Sequence, residues 1–296
     1  MHVLIIGTGR LGRALHTLIS RGRSGATVTL WNQAPHPLAS RLPLEQLVAG
    51  ADNVLLCIPS FAHRQILLTI KPALRPATLV ISFSKGIEHA TGKTMDQIFS
   101  ETVPAQPFAL VGGPMMAEEL VAGKQGIAVV GSTDPVAFAT LSKLFDGTDL
   151  LLEATADPRG VSLSGVLKNV YALAVGVSYG IGCREGACQN FRQRALQEML
   201  VVGRQLGIAP DILNGPAGVG DFMTTSSSPL SRNRRAGERL GREHSLDREA
   251  ESIASFSHLV NLVNDLRPFP ILGALEQSVI HGQPPIETFG RLLPPP

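Results

Sequence analysis

The stretch VSLSGVLKNVYALAVG, Val161–Gly176, has the pattern of a core-facing helix, with Val166, Leu167, Val170, Leu173 and Ala174 at three-and-four spacing. Lys168 and Asn169 interrupt it side by side, and no other charge lies within the stretch. A lysine so placed either snorkels its ammonium to the surface or works as a buried proton donor. In the second role the ammonium hydrogen-bonds a carbonyl oxygen as that oxygen gains charge, and then gives up a proton. Burial lowers a lysine's pKa and a nearby carboxylate raises it.

A second constellation lies near the start of the sequence. HVLIIGTGRLGRALHTLI carries Gly7, Gly9 and Gly12 as G-x-G-x-x-G, after a strand pattern and opening a helix pattern. Gly7 allows a tight turn, Gly9 lets backbone approach a pyrophosphate, and Gly12 permits close helix–strand contact. The alternative is a turn that shapes the fold and binds nothing. About 20 residues past Gly12, where a carboxylate would grip the ribose hydroxyls of NAD, stands Asn32. A neutral amide does not repel a 2′-phosphate, so the choice between NAD and NADP stays open.

Strand ends hold the next candidates. VISFSKGIE places Ser84, Lys85 and Gly86 past one strand, and FALVGGPMMAEE places Gly112, Gly113 and Pro114 past another. Ligands of open α/β sheets collect there, so Lys85 either faces the cofactor crevice or is a solvated loop charge. GPAGVGDFMTTSSSPLSRNRRAGERLGR combines a glycine-rich turn, Asp221, a run of hydroxyls and Ser231-Arg232-Asn233. This set suits a phosphorylated substrate, because arginine offers a planar fork to phosphate oxygens. Arg234, Arg235, Arg239 and Arg242 read as a solvated helix face; Arg232 does not.

The elements that must position these groups follow from periodicity. Strands are expected at His2–Ile6, Ala26–Trp31, Asn53–Ile58, Thr78–Phe83, Phe108–Val111, Gly126–Gly131 and Asp149–Ala154, with helices between most of them. The helical patterns are Leu11–Ser20, Leu44–Ala49, Ala62–Ile70, Thr94–Phe99, Met116–Ala122 and Pro135–Phe145. Such alternation predicts an α/β fold with a doubly wound, mostly parallel Rossmann-type sheet. Past Asp157-Pro158-Arg159-Gly160 only helical periods remain. The expected domains are therefore residues 1–156, binding a dinucleotide, and 157–296, all helical and carrying the substrate and the catalysis. The tail LLPPP is expected to be irregular.

Composition sets outer limits. The 296 residues are 44% hydrophobic with a net charge of +2. This describes a globular chain with no charge-based claim on nucleic acid or an anionic membrane. No apolar run is expected to reach the ~18 residues that span a bilayer, so no membrane insertion is expected, and no signal peptide is evident. Cys57, Cys183 and Cys188 have no metal-ligand spacing and read as reduced thiols of a cytoplasmic protein; no metal is expected. The apolar helical half suits a homodimer interface or an internal core equally.

Seven segments in order, GTGRLG, IPSFAHR, SKGIE, GGPMMAEE, LKNVYALAVG, GVGDFMTTSSSPLSRN and FPILGALEQSVIHGQPP, cover nearly the whole chain. Together they resemble the bacterial NAD(P)-dependent glycerol-3-phosphate dehydrogenases. The resemblance implies NAD(P)H-dependent, reversible reduction of dihydroxyacetone phosphate to sn-glycerol 3-phosphate, feeding glycerophospholipid synthesis. By motif it implies Lys168 as the catalytic lysine with Asp221 beside it. Substrate contacts fall on Lys85, Gly113, Met115, Lys168, Asn169, Asp221, Thr225, Ser231, Arg232 and Asn233. Cofactor contacts fall on Gly7, Gly9, Arg10, Leu11, Gly12, Asn32, Lys85, Ala117, Arg232 and Glu251.

The sequence departs from the family pattern at Leu11, at Met115-Met116, across Glu185–Asn190 and at Ser252. The alternatives are a related two-domain reductase acting on another small keto or hydroxy-acid substrate, and a non-catalytic dinucleotide-binding paralogue.

Overall fold

The computed structural model describes residues 1–293. Seven strands form one sheet: β1 (His2–Ile6), β2 (Thr27–Trp31), β3 (Asn53–Leu56), β4 (Leu79–Ser82), β5 (Phe108–Gly112), β6 (Gly126–Gly131) and β7 (Leu150–Thr155). Their order is β2-β1-β3-β4-β5-β6-β7, and every pair is parallel except β5 with β6. Strands β3 and β4 are buried along their whole length, as a sheet covered on both faces requires. The connections flanking the sheet include α1 (Arg10–Arg21), α2 (Leu44–Gly50), α3 (His63–Ile70), α4 (Met95–Thr102), α5 (Ala117–Val121) and α6 (Pro135–Leu144). The chain leaves β1 for β2 on one side and β3 lies on the other. The strand order thus reverses at β1, and the turn that follows β1 sits at this switch point.

From Pro158 onward there are helices and no strand among the described residues. They are α7 (Pro158–Gly180), α8 (Glu185–Gln205), α9 (Pro210–Asn214), α10 (Asp221–Ser227), α11 (Arg232–Glu243), α12 (Glu251–Ala254), α13 (Phe256–Val263), α14 (Pro270–Val279) and α15 (Pro285–Gly290). The prolines of the LLPPP tail lie outside the described residues.

The chain divides into two compact units. The first holds Met1–Ser84 and Lys93–Ser162, the second Lys85–Gly92 and the chain from Leu163. The division thus falls inside α7, and the short segment after β4 belongs with the helices. Hydrogen bonds explain the latter: Ile87 N donates to Ser255 Oγ (3.0 Å), and Asn169 Nδ2 to the Lys85 carbonyl (2.9 Å).

Helix α7 corrects one expectation from the sequence. Its 23 residues are long and apolar enough to cross a membrane, with a mean hydropathy of 1.4 over the best window. That window is entirely buried in protein. Helix α11 crosses it closely. A Cβ added at Gly176 would stand 2.0 Å from the Arg234 carbonyl, and one at Gly237 2.0 Å from that of Leu173. Only glycine on both helices allows this approach, which carries the start of α11 alongside Asn169.

Candidate active site

The first unit holds the glycine turn. Gly7 has φ +111°, a conformation other residues adopt rarely, and a Cβ there would lie 2.4 Å from the Cys57 carbonyl. At Gly12 a Cβ would lie 2.0 Å from the Gly7 carbonyl, so the helix can start this close to the strand only without a side chain. Gly9 is different: no protein atom lies within 4 Å of the place a Cβ would take. It caps α1, which has no side-chain cap and no acidic residue in its first turn. The first intrahelical bond runs from Arg13 N to Gly9 O, so the N–H groups before it point out of the helix end. Open space, bare backbone and a positive helix end fit the pyrophosphate of a dinucleotide.

Four other expected cofactor positions sit in this unit. Leu11 packs against the apolar core. The Arg10 guanidinium donates to Glu118 (3.0 Å), in the first turn of α5, whose first residue is Ala117. Asn32 follows β2 and its Nδ2 donates to Ala34 O (2.9 Å). Two expected substrate contacts are also here. Gly113 has φ +104°, and a Cβ would collide with the Ile127 carbonyl, which accounts for its glycine. Met115 belongs to the buried apolar core of this unit.

The second unit gathers charge. The turn 216–220 is a single π-type turn closed by Gly220 N onto Gly215 O (3.1 Å), and it runs straight into α10. That junction drives Asp221 inward to 3% exposure. Lys168, from the middle of α7, is 6% exposed. Its Nζ lies 3.1 Å from Asp221 Oδ1 and donates to Thr225 Oγ1 (2.9 Å). Thr225, one helical turn after Asp221, donates in turn to Asp221 Oδ1 (3.1 Å). Lys85 Nζ donates to the other carboxylate oxygen, Oδ2, at 2.6 Å.

The electrostatics follow from this geometry. Burial lowers the Lys168 ammonium from the usual 10.5 to about 8; Asp221 pulls it back up and the Lys85 charge pushes it down. Burial also raises the Asp221 carboxyl, but the two ammonium groups and their hydrogen bonds outweigh it and hold it below the ordinary carboxylate value. Two ammonium groups share the one Asp221 carboxylate, one on each oxygen. Lys168 spends two of its three N–H groups on Thr225 and Asp221, and the third remains for a ligand.

A chain of amides extends from the cluster. Asn169 bonds the Lys85 carbonyl through Nδ2 and accepts from Asn233 Nδ2 (2.7 Å) through Oδ1. Asn233 Oδ1 accepts from Ser252 N (3.1 Å), next to Glu251 at the start of α12. Ser231 caps α11 by accepting from Arg234 N (3.3 Å). Arg232 follows it, half exposed, donating to Glu249 (2.9 Å) with Asp247 at 3.6 Å. The structure thus brings together Lys85, Lys168, Asn169, Asp221, Thr225 and Asn233 directly, with Ser231, Arg232 and Glu251 as chain neighbours of the group.

Three features escape the sequence. Ser255 fixes the Lys85 segment through Ile87 N, and nothing in its surroundings signals that role. Glu198 is buried in α8, where it accepts from Tyr171 OH (3.1 Å) and from the first N–H groups of α14, Ile271 and Leu272 (2.9 Å each). It ties α14 to the helix that carries Lys168. Arg234 corrects the expectation of a solvated face: its side chain is 13% exposed. It lies over the Tyr179 ring (4.2 Å), pairs with Glu238 (2.9 Å) and donates to the last carbonyls of α10. Helix C-terminal carbonyls lack intrahelical partners, and a guanidinium supplies them.

Comparison with known proteins adds a separate line. Two family patterns match the chain: NAD-dependent glycerol-3-phosphate dehydrogenase N-terminus over residues 32–137, and the C-terminus over 157–289. A glycerol-3-phosphate dehydrogenase [NAD(P)+] from Sphingopyxis alaskensis is 34% identical over 72% of this chain, a match spanning 64% of that protein. One from Acidithiobacillus ferrooxidans is 30% identical over 96% of this chain and 91% of its own length. The crystal structure of glycerol-3-phosphate dehydrogenase from Coxiella burnetii superposes with a TM-score of 0.88 at 22% identity, covering 98% of both chains.

Proposed function

Because the chain belongs to the NAD-dependent glycerol-3-phosphate dehydrogenase family, we propose that it is an NAD(P)-dependent oxidoreductase. Its reaction is the reversible reduction of dihydroxyacetone phosphate to sn-glycerol 3-phosphate, a precursor of glycerophospholipids. The observation that carries this reading is the buried Lys168 ammonium, lowered to about 8 and held by Asp221 and Thr225 with one N–H to spare.

The dinucleotide, when bound, supplies the hydride; Gly7, Gly9 and Gly12 with the start of α1 would hold its pyrophosphate. Lys168 hydrogen-bonds the ketone oxygen, stabilises the charge that develops there, and donates its proton as the alcohol forms. Asp221 keeps that ammonium charged near neutral pH, and Lys85 holds the other carboxylate oxygen of Asp221. Arg232 has spent one Nη on carboxylates, and its remaining N–H groups, with the Asn233 amide, would take the substrate phosphate. Binding energy at the phosphate then positions the ketone without taking part in the chemistry.

The test is oxidation of NADH and NADPH by dihydroxyacetone phosphate beside unphosphorylated dihydroxyacetone and a panel of keto acids. Turnover confined to the phosphate is expected. Turnover confined to a keto acid would replace this reading with that of a related reductase.

A further inference from the structure

The glycine turn stands where β1 ends, and the opposite end of the same sheet carries a cavity of about 500 Å³. It lies where β3 and β4 begin: Asn53 and Leu79, the first residues of those strands, line it, as does Pro107 just before β5. Helix α6 supplies another wall through Val136, Ala137, Thr140 and Lys143, whose three-and-four spacing puts them on one face. All of these residues belong to the first unit.

Asn53 is out of place on this wall. Side chains on a strand alternate, so it faces the same way as Leu55, a member of the apolar core that Ala137 and Leu141 of α6 join. At 2% exposure it is buried, yet its Oδ1 has no hydrogen-bond partner. A buried acceptor left unpaired forfeits stability, so a donor entering the cavity meets a group that lacks its partner. Near the end of α6, Lys143 is exposed and has no ion-pair partner among the described residues. The two carboxylates that also line the cavity are engaged elsewhere. Asp52 accepts from His2 N (2.8 Å) and pairs with Arg75 (2.8 Å). Asp134 caps α6 by accepting from Val136 N (2.8 Å). It precedes Lys143 by about 13 Å of helix, beyond the ~8–10 Å over which charges act in physiological salt. An anion at Lys143 therefore meets little repulsion.

We propose that this cavity is a second ligand site and takes a small aromatic carboxylate with a ring N–H, of the indole-acid type. The N–H donates to Asn53 Oδ1, and the carboxylate pairs with Lys143 at the rim. A ring N–H of this kind donates and accepts nothing, which suits a single acceptor beside the apolar Leu79, Pro107 and Ala137. A hydroxyl would bring lone pairs of its own to be satisfied. Asn53 is four residues before Cys57, whose carbonyl stands beside Gly7. That is about 13 Å of strand, so an acid here and a dinucleotide at the glycine turn do not compete.

Titration calorimetry of the full-length protein with three probes tests this. They are indole-3-acetate, 1-naphthaleneacetate, which keeps the shape and charge without the N–H, and 3-methylindole, which keeps the N–H without the carboxylate. Indole-3-acetate is expected to bind about tenfold tighter than the naphthalene acid and about threefold tighter than 3-methylindole. Asn53→Ala should bring the two acids within about twofold of each other, and Lys143→Gln should do the same for the two indoles. Thermal unfolding checks that both variants are folded. An excess of NADH should leave the affinity for indole-3-acetate unchanged. No binding at millimolar concentration, equal affinities for the two acids in the unaltered protein, or an N–H preference that survives Asn53→Ala would overturn the inference. Displacement by NADH would put the acid at the glycine turn and overturn it as well.

Discussion

The glycine turn of the first unit and the lysine cluster of the second handle negative charge in opposite ways. At Gly7, Gly9 and Gly12 side chains are absent, and the groups left to work are backbone N–H groups at an uncapped helix end. Around Lys168 three charged side chains meet with a hydroxyl between them, Lys168 and Asp221 buried and Lys85 partly so. A pyrophosphate arrives with its charge already formed, so fixed dipoles suffice to receive it. A ketone oxygen becomes charged only during reaction, so it needs a donor that can also release a proton. Under the proposed function the pairing of two ammonium groups with one carboxylate would provide that, at the cost of burying charges that stabilise the fold only as a complete set.

The sharpest way to break this division is Lys168→Ala. It should lower kcat/KM for ketone reduction about 10³–10⁴-fold, while dinucleotide affinity, read by nicotinamide fluorescence, stays within about threefold. Affinity that collapses along with turnover would mean the two regions do not divide the work in this way. Asp221→Asn comes next. It strips the counter-ion from the buried Lys168 ammonium and the partly buried Lys85 one, and should destabilise the protein by about 3–5 kcal/mol in denaturant unfolding. A loss under about 1 kcal/mol would show the cluster to be solvated rather than buried. Gly12→Ala should have the smaller and complementary effect. Its Cβ must push against the Gly7 carbonyl, costing about 1–3 kcal/mol and loosening the dinucleotide. The pH dependence of the chemical step should be unchanged.

The contrast also explains what could be read from the sequence. The glycine turn is local: its three residues lie within six positions of one another, each for a steric reason that spacing reveals. The strands were equally legible, with ends that fall within two residues of those expected, because period-two and apolar patterning is a local property. The cluster is not local. Lys85 and Asp221 are 136 residues apart, and no periodicity says that the segment after β4 is held by Ser255 and Asn169. Lys168 drew notice only because a charge in an apolar helix is costly, and its partners had to be assigned through resemblance. Arg234 shows the limit from the other side. Among five arginines in eleven residues it looked solvated, yet a tyrosine ring and the end of α10 claim it. Met115 is equally illegible, since a methionine beside a glycine turn reads alike whether it lines a pocket or fills the core.

The measurement that bears most directly on the account is the pH dependence of kcat/KM for ketone reduction, in the unaltered protein and in Asp221→Asn. Reduction needs the protonated ammonium, which burial lowers from 10.5 to about 8. The rate should therefore be level below pH about 8 and fall about tenfold per unit above it, with oxidation of the alcohol rising through the same point. Removing the Asp221 carboxylate takes away the charge that raises Lys168, so the falling limb should move to lower pH. A limb at the ordinary lysine value, or one unmoved by Asp221→Asn, would contradict the claim that this buried, carboxylate-held ammonium is the proton donor.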